Sequence, residues 1–269
     1  MPSPSTRSTR ASTDLHRRTV RDVDFLVHRR LERRGVLAAF TERTGGLSEP
    51  PFDSLNLSLA TGDDSSRVRA NRERVAEALG TGAFALGQQV HGARSARVGR
   101  TRAGAGFADR NDALPGTDSL STAARGVSLA VLTADCVPVV LADRARVAVA
   151  HVGWRGLVAG IVRRALGAFA DPAAVTAVLG PAIGPCHYEV GPEVALAAAS
   201  ATGSGARTER RGGALYLDLP ATVAGALRDL GVRAPEAAGI CTACERERFF
   251  SHRRDGPATG RQAAIVMRL

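Results

Sequence analysis

Short apolar runs, long enough for a β-strand and too short to cross a membrane, recur along the whole chain. They read "GVLAAFTER" (35–43), "VSLAVLTADC" (127–136), "VPVVLAD" (137–143), "RVAVAHV" (146–152), "AVTAVLG" (174–180), "ALYLDLP" (214–220) and "RQAAIVMRL" (261–269). "FALGQQVHG" (84–92) reads as a further short strand ending at His91. Between them lie segments with helical spacing. In "DDSSRVRANRERVAEALG" (63–80), Val68, Val75, Ala76 and Leu79 share one face behind an Asp/Ser start signal and ahead of a glycine stop. "GLVAGIVRRALGAFA" (156–170), "VALAAASA" (194–201) and "ATVAGALRDLG" (221–231) read as helices too. No internal repeat and no long linker divides the 269 residues, so the pattern predicts a single mixed α/β domain. Residues 1–22, rich in Ser, Thr and Arg, read as a disordered tail ahead of a domain over 23–269. Residues 99–112 and 202–213, rich in Gly and Arg, read as loops.

All 36 basic residues are arginine, and the formal net charge is +10. That excess fits an Arg-rich surface or an anionic ligand. The chain carries no nucleic-acid-binding motif and few aromatic residues for base stacking, so a small anionic substrate is the sharper expectation. Four cysteines are too few for a disulfide scaffold at this length and suit a reducing compartment. With no membrane-length apolar run and no secretory-type leader, a cytoplasmic protein is expected, without a membrane or an obligate protein partner.

The stretch "RVAVAHVGWRGLVAG" (146–160) delivers a histidine, a tryptophan and an arginine into one glycine-flanked corner. His151 and His91 both stand at strand ends beside glycine, and Cys136 interrupts an apolar strand in "TADCVP". Two imidazoles and a thiolate make three zinc ligands with the fourth position open, the count of a catalytic site. Spacing alone leaves the ordinary readings open, an inert buried thiol and hydrogen-bonded histidines. Cys186, His187, Cys241 and Cys244, in "PCH" and "CTAC", have the donors for a second, closed zinc site. Reduced, packed thiols are the default reading of the same residues.

Longer motifs carry a resemblance. "TERTGGLS" (41–48), "PFDSLNLS" (51–58), "QQVHG" (88–92), "TDSLST" (117–122) and "LTADCVPVVLAD" (132–143) follow one another in order. "HVGWRGLVAGI" (151–161), "LGPAIGPCHYEVGPEV" (179–194), "CTAC" (241–244) and "FFSHRRDGPATGRQA" (249–263) continue the series. From about Phe40 to the C-terminus the chain resembles the YfiH/YlmD, or laccase-domain, family. It departs from the family pattern at Val152, where Ala is more usual, and at His252, where Tyr is common. The resemblance implies a layered α-β-β-α sandwich, distantly similar to the catalytic domain of cytotoxic necrotizing factor toxins. It also implies metal ligation by His91, Cys136 and His151.

For function, the resemblance implies zinc-dependent purine nucleoside phosphorolysis: adenosine, inosine or guanosine plus phosphate giving base and ribose 1-phosphate. Methylthioadenosine cleavage and deamination of adenosine by a zinc-activated water go with it. Arg43 in "TERTGG" and Arg155 in "GWRG" are the expected anion-binding guanidiniums. Asn56 in "SLNLS" is expected to bind substrate or to close a turn, and Trp154 to pack in the core. Three alternatives stand beside this. A copper-dependent polyphenol oxidase (laccase) fits the ligand types, but its copper cluster needs many histidines, and the chain has six, with no H-x-H pair. A peptidoglycan-editing amide hydrolase would use zinc hydroxide, or Cys136 as nucleophile and His151 as base. A non-enzymatic protein would use the metal to fix its fold.

Overall fold

The computed structural model describes residues 14–269, and residues 1–13 lie outside it. Two sheets form its middle. The first has five strands, in the spatial order Leu15–Val20, Val23–His28, Val36–Thr41, Gln262–Arg268 and Ser128–Thr133, all antiparallel. The second has six, in the order Glu236–Ala237, Thr176–Leu179, Val137–Ala142, Val147–Val152, Ser119–Thr122 and Ser95–Arg97. A small third sheet joins Glu189–Val190, Ala214–Leu217 and Thr208–Arg211.

Strand periodicity sorts the apolar residues into three layers. In Val36–Thr41, Val36, Ala38 and Phe40 face the second sheet, packing with Leu120, Val140, Val149 and Val178. Leu37 and Ala39 face the other way, onto Val75 of the helix Ser65–Leu79 and onto Leu55, Leu57 and Phe84. Val137, Val139 and Leu141 turn outward from the second sheet onto the helices Ile161–Leu166 and Leu219–Asp229, through Ile161, Val162, Val223 and Leu227. The result is the expected α-β-β-α sandwich. No helix among the described residues is long and apolar enough to cross a membrane.

Several sequence expectations change. Residues 15–20 are not tail: Leu15–Val20 pairs along its full length with Val23–His28. Its two-residue turn, Arg21–Asp22, holds both residues at positive φ (50° and 63°), the geometry of a tight hairpin without its usual Asn-Gly signature. A similar turn at Gly212–Gly213 folds part of the loop expected over 202–213 into the strand Thr208–Arg211. The helix expected over 156–170 is two, Trp154–Val158 and Ile161–Leu166, divided at Gly160 in the left-handed region (φ 87°). Residues 84–92 make only isolated bridges, at Ala85 and Gly87, rather than a strand. The 99–112 loop is ordered by the buried Arg72 guanidinium, whose Nη1 donates to the Gly106 and Phe107 carbonyls at 2.8 and 2.6 Å.

The two sheets approach so closely at Gly180 that a Cβ there would run into the ring of the buried Phe40 and reach Pro138. Gly180→Ala should therefore destabilise the fold by about 1–3 kcal/mol through overpacking. Urea unfolding would read this as a lower midpoint at unchanged slope; an unchanged midpoint would mean that the sheets can part at no cost.

Candidate metal centre and active site

The three donors converge from three connections. His151 ends the central strand Val147–Val152, and Gly153 follows as the N-cap of Trp154–Val158. Cys136 stands where the chain passes from Ser128–Thr133 of the first sheet to Val137–Ala142 of the second. Asp135 makes that corner at φ 94°, a region L-residues rarely occupy. His91, at φ 58°, tips the segment before Gly92. One donor atom each from His91, Cys136 and His151 lies within 4.8 Å of the others, and the two imidazoles meet edge to face with centroids 4.7 Å apart.

Glycine at 153 is required by close approach rather than by φ. A Cβ there would sit 3.0 Å from both Cys136 Sγ and His91 Cδ2. At Gly156 it would sit 3.2 Å from the Gly92 carbonyl. Gly153 thus leaves room for the Cys136 and His91 side chains, and Gly156 for the backbone at Gly92.

Asp118, fully buried ahead of the strand Ser119–Thr122, organises both histidines. Its carboxylate accepts the backbone N–H groups of Val90, His91 and Gly92 at 3.1, 3.0 and 2.9 Å. It also lies 2.8 Å from His151 Nδ1. A carboxylate there can only accept, so Nδ1 carries the proton and Nε2 is the nitrogen free to ligate. Burial alone would raise the Asp118 pKa, but the hydrogen bonds from His151 and from the Gly92 and Val90 amides outweigh it and hold it below the carboxylate norm. Gln89 steadies the same segment, its side-chain amide pairing both ways with the Leu132 backbone at 2.8 Å.

The electrostatics suit a cation. Burial would push the Cys136 thiol up, but the charge on His151 and hydrogen bonds from both imidazoles outweigh it and bring the thiol down to about 6. Burial likewise opposes the charged form of His151, yet the Cys136 thiolate and Asp118 raise it to about 9. These shifts favour a thiolate–imidazolium pair in the metal-free site, and a metal held by His91, Cys136 and His151 would take the place of the His151 Nε2 proton. A thiolate, two imidazoles and a carboxylate behind one of them form a fitting donor set for zinc, and copper accepts the same ligand types.

The donors open onto a cavity of about 580 Å³, within the range of small-molecule sites. Five arginines are among its lining residues, Arg72, Arg110, Arg155, Arg253 and Arg261, against one acidic residue, Asp135. Asp135 is engaged by the protein itself, accepting from Thr242 Oγ1 at 2.6 Å and the Arg253 amide at 2.7 Å. Arg155 stacks on Trp154 at 4.6 Å and donates to no acceptor among the described residues. Trp154 also packs against the helical core, so it serves both sides.

Two expected substrate contacts lie elsewhere. Asn56 is fully buried, and its Nδ2 donates to Thr61 Oγ1 and Asp63 Oδ2, both at 2.9 Å. Its Oδ1 accepts from the Ser58 and Arg261 amides, so it closes a turn, as the second of its two sequence readings has it, and holds the Arg261 backbone. Arg43 stacks on Phe250 at 4.6 Å and binds the carbonyls of Asp53 and Arg246 outside the cavity lining. Sequence reasoning gave no role to Asp118, Tyr188, Arg253 or Arg261. Their signal lay inside motifs already singled out, "TDSLST", "CHYEVG" and "FFSHRRDGPATGRQA".

The profile of a family described as multi-copper polyphenol oxidoreductase laccase matches residues 37–269. A purine nucleoside phosphorylase of Mycobacterium tuberculosis is 43% identical over 234 residues, covering 84% of this chain and 89% of its own length. The purine nucleoside phosphorylase YfiH of Escherichia coli is 38% identical over 248 residues, covering 87% and 94%. The crystal structure of YlmD from Geobacillus stearothermophilus superposes with a TM-score of 0.88 at 34% identity, covering 95% of this chain and 99% of that one. The chain belongs to the YfiH/YlmD family. The crystal structure of YfiH from Bacillus licheniformis is similar as well, with a TM-score of 0.85 at 34% identity over 90% of this chain and 96% of that one. The family's oxidase description sits beside relatives named phosphorylases, so the choice between these chemistries rests on the cavity.

Two outcomes check the centre. Asp118→Asn keeps the shape but removes the charge behind His151, and should weaken metal affinity about 10–100-fold in competition with a chelator. In chelated protein, the lowered Cys136 pKa means that the reactive thiolate persists as pH falls and is lost only below about 6. Iodoacetamide labelling of the Cys136 peptide, followed by mass spectrometry, should have its half-point there; a half-point at the ordinary thiol range would remove the ion pair.

Proposed function

We propose that this chain is a purine nucleoside phosphorylase whose His91, Cys136 and His151 hold zinc and whose Arg155, with Arg253 and Arg261, binds phosphate. The observation that carries the reading is a cavity lined by the Cys–His donor residues and five arginines, with its one acidic residue already engaged. Such a cavity favours a dianion and disfavours a cationic ligand. The names of the relatives support the same choice.

Phosphorolysis joins a phosphate oxygen to C1′ of the ribose as the C1′–N9 bond breaks and its electron pair passes to the purine, which takes up a proton. The chain's residues neutralise the attacking anion and shield the reacting centre from water. Arg253 and Arg261 each use Nη1 on backbone carbonyls, Arg253 on His187 and Glu189, Arg261 on Thr259 and Gly260. Their Nε and Nη2 groups have no acceptor among the described residues and remain donors for a phosphate. Tyr188 keeps its proton, since burial above all pushes its pKa to about 12, and so offers an O–H donor to the nucleoside. Lewis acidity is the chemistry that zinc supplies when bound by such a donor set. The free thiols suit the reducing cytoplasm, where nucleoside and phosphate are both present.

A second reading has its own observation. Asp118, His151 and Cys136 are arranged as acid, base and nucleophile, which suits metal-free amide hydrolysis. Zinc content and chemistry separate the two. Pure, zinc-analysed protein incubated with adenosine should release adenine only when phosphate is present. Inosine without phosphate would mark deamination, and no change in adenosine would favour the amide hydrolase. Arg155→Ala should raise the phosphate KM about tenfold or more, since charged hydrogen bonds contribute roughly 1.5–3 kcal/mol. It should leave the fold intact, because Arg155 is exposed. An unchanged phosphate KM would take Arg155 out of the anion site.

A further inference from the structure

We propose that Cys186, His187, Cys241 and Cys244 bind a second zinc ion in a closed, four-ligand site that braces one wall of the cavity. This inference does not rest on the phosphorylase reading. The donors sit on two loops that follow neighbouring parallel strands, Thr176–Leu179 and Glu236–Ala237. The loops are stitched by backbone hydrogen bonds from Ala182 to Ile240 and from Thr242 to Ala182, at 3.2 and 3.1 Å. That stitching brings "PCH" against "CTAC".

The donors are close enough together for one ion to meet all four. Cys186 Sγ lies 3.4 Å from Cys244 Sγ. His187 Nδ1 lies 3.3 Å from Cys186 Sγ, 3.4 Å from Cys244 Sγ and 3.9 Å from Cys241 Sγ. All four donors fall within 4.8 Å of one another. Zinc bonds of ordinary length predict tetrahedral edges of about 3.8 Å between sulfurs and about 3.6 Å between sulfur and nitrogen. Three thiolates and one imidazole, with no open position, are the ligands of a structural zinc.

Two further observations point to a ligand. The Gly184 N–H donates to Cys241 Sγ at 3.2 Å, the kind of hydrogen bond that steadies a metal-ligating sulfur. A Cβ on Gly184 would press within 3.3–3.6 Å of Cys241 and Cys186, so glycine lets the loop close around the sulfurs. The packed-thiol reading, by contrast, has no packing behind it. Cys186, His187 and Cys244 are exposed and belong to no apolar cluster. The sulfurs are also farther apart than the ~2.05 Å of a disulfide.

Zinc here would act by position. The loop through Cys186 and His187 carries Ile183 and Tyr188 into the cavity wall. Thr242, next to Cys241, holds Asp135, the neighbour of Cys136. Arg253 is tied to the His187 carbonyl.

The test is metal stoichiometry on the full chain, grown with zinc, purified reduced and desalted, with zinc counted per chain by mass spectrometry. Wild type should carry two zinc ions and Cys136→Ala one. The double variant Cys186→Ser with Cys244→Ser should carry one and melt at a lower temperature. Cobalt-loaded Cys136→Ala should keep the thiolate-to-cobalt absorption of a tetrahedral site. If the double variant does not fold, Cys136→Ala decides alone. Zinc-free Cys136→Ala whose Cys186 and Cys244 react freely with a thiol reagent, or are joined as a disulfide, would overturn the second site. Wild type and Cys136→Ala both carrying one ion would support the second site while ending the proposed catalytic one.

Discussion

One carboxylate fixes the chemistry of this molecule. Asp118 is buried, and it holds three successive backbone amides of the His91 segment together with the ring of His151. Consecutive N–H groups turned toward one anion form a nest that no helix or strand would provide. Removing the side chain would leave those amides without an acceptor in the interior and let the imidazole turn over. The two histidines therefore do not find each other independently. They are two ends of a single arrangement centred on a fully buried residue that lies outside the cavity lining.

The sandwich supplies the rest. Cys136 reaches the histidines because the chain crosses between sheets at Asp135, and Gly153 leaves room for the Cys136 sulfur and the His91 ring. Asp135 in turn is tied to Thr242 and Arg253, so the C-terminal loops are secured to the corner that presents the thiol. The reactive groups thus sit at the seam between layers, where rigid strands end and loops can shape a cavity.

Much of this could be read in the sequence, for physical reasons. Strand-length apolar runs gave the central strands because burial on alternate faces is written residue by residue, as in Val36–Thr41. The helix Ser65–Leu79 had its cap, its apolar face and its stop at Gly80 in view. His91, Cys136 and His151 come together as expected. What failed concerns partners distant in sequence. Asn56 and Arg43 look like ligand-binding groups until their hydrogen bonds are seen to be filled by the protein itself. The hairpin turn at Arg21–Asp22 lacked the Asn-Gly signature, and the order of the 99–112 loop depends on Arg72, which is far away in sequence. Asp118 looked like an ordinary acid before a strand because its importance lies in four contacts that only the fold creates.

Arg72 has one more implication. It is a guanidinium held in the interior by carbonyl oxygens, with no acidic partner among the described residues, and it belongs to the lining of the same hollow as four other arginines. Burial lowers its pKa, but only to about 10, so it stays ionised at neutral pH. A fixed positive field behind low-dielectric walls draws anions inward from solution and is screened by dissolved salt. Uncharged sugars and bases feel no such pull. If the cavity takes a dianion, as proposed, its rate of arrival would fall as ionic strength rises, whereas a neutral partner would enter at a pace insensitive to salt.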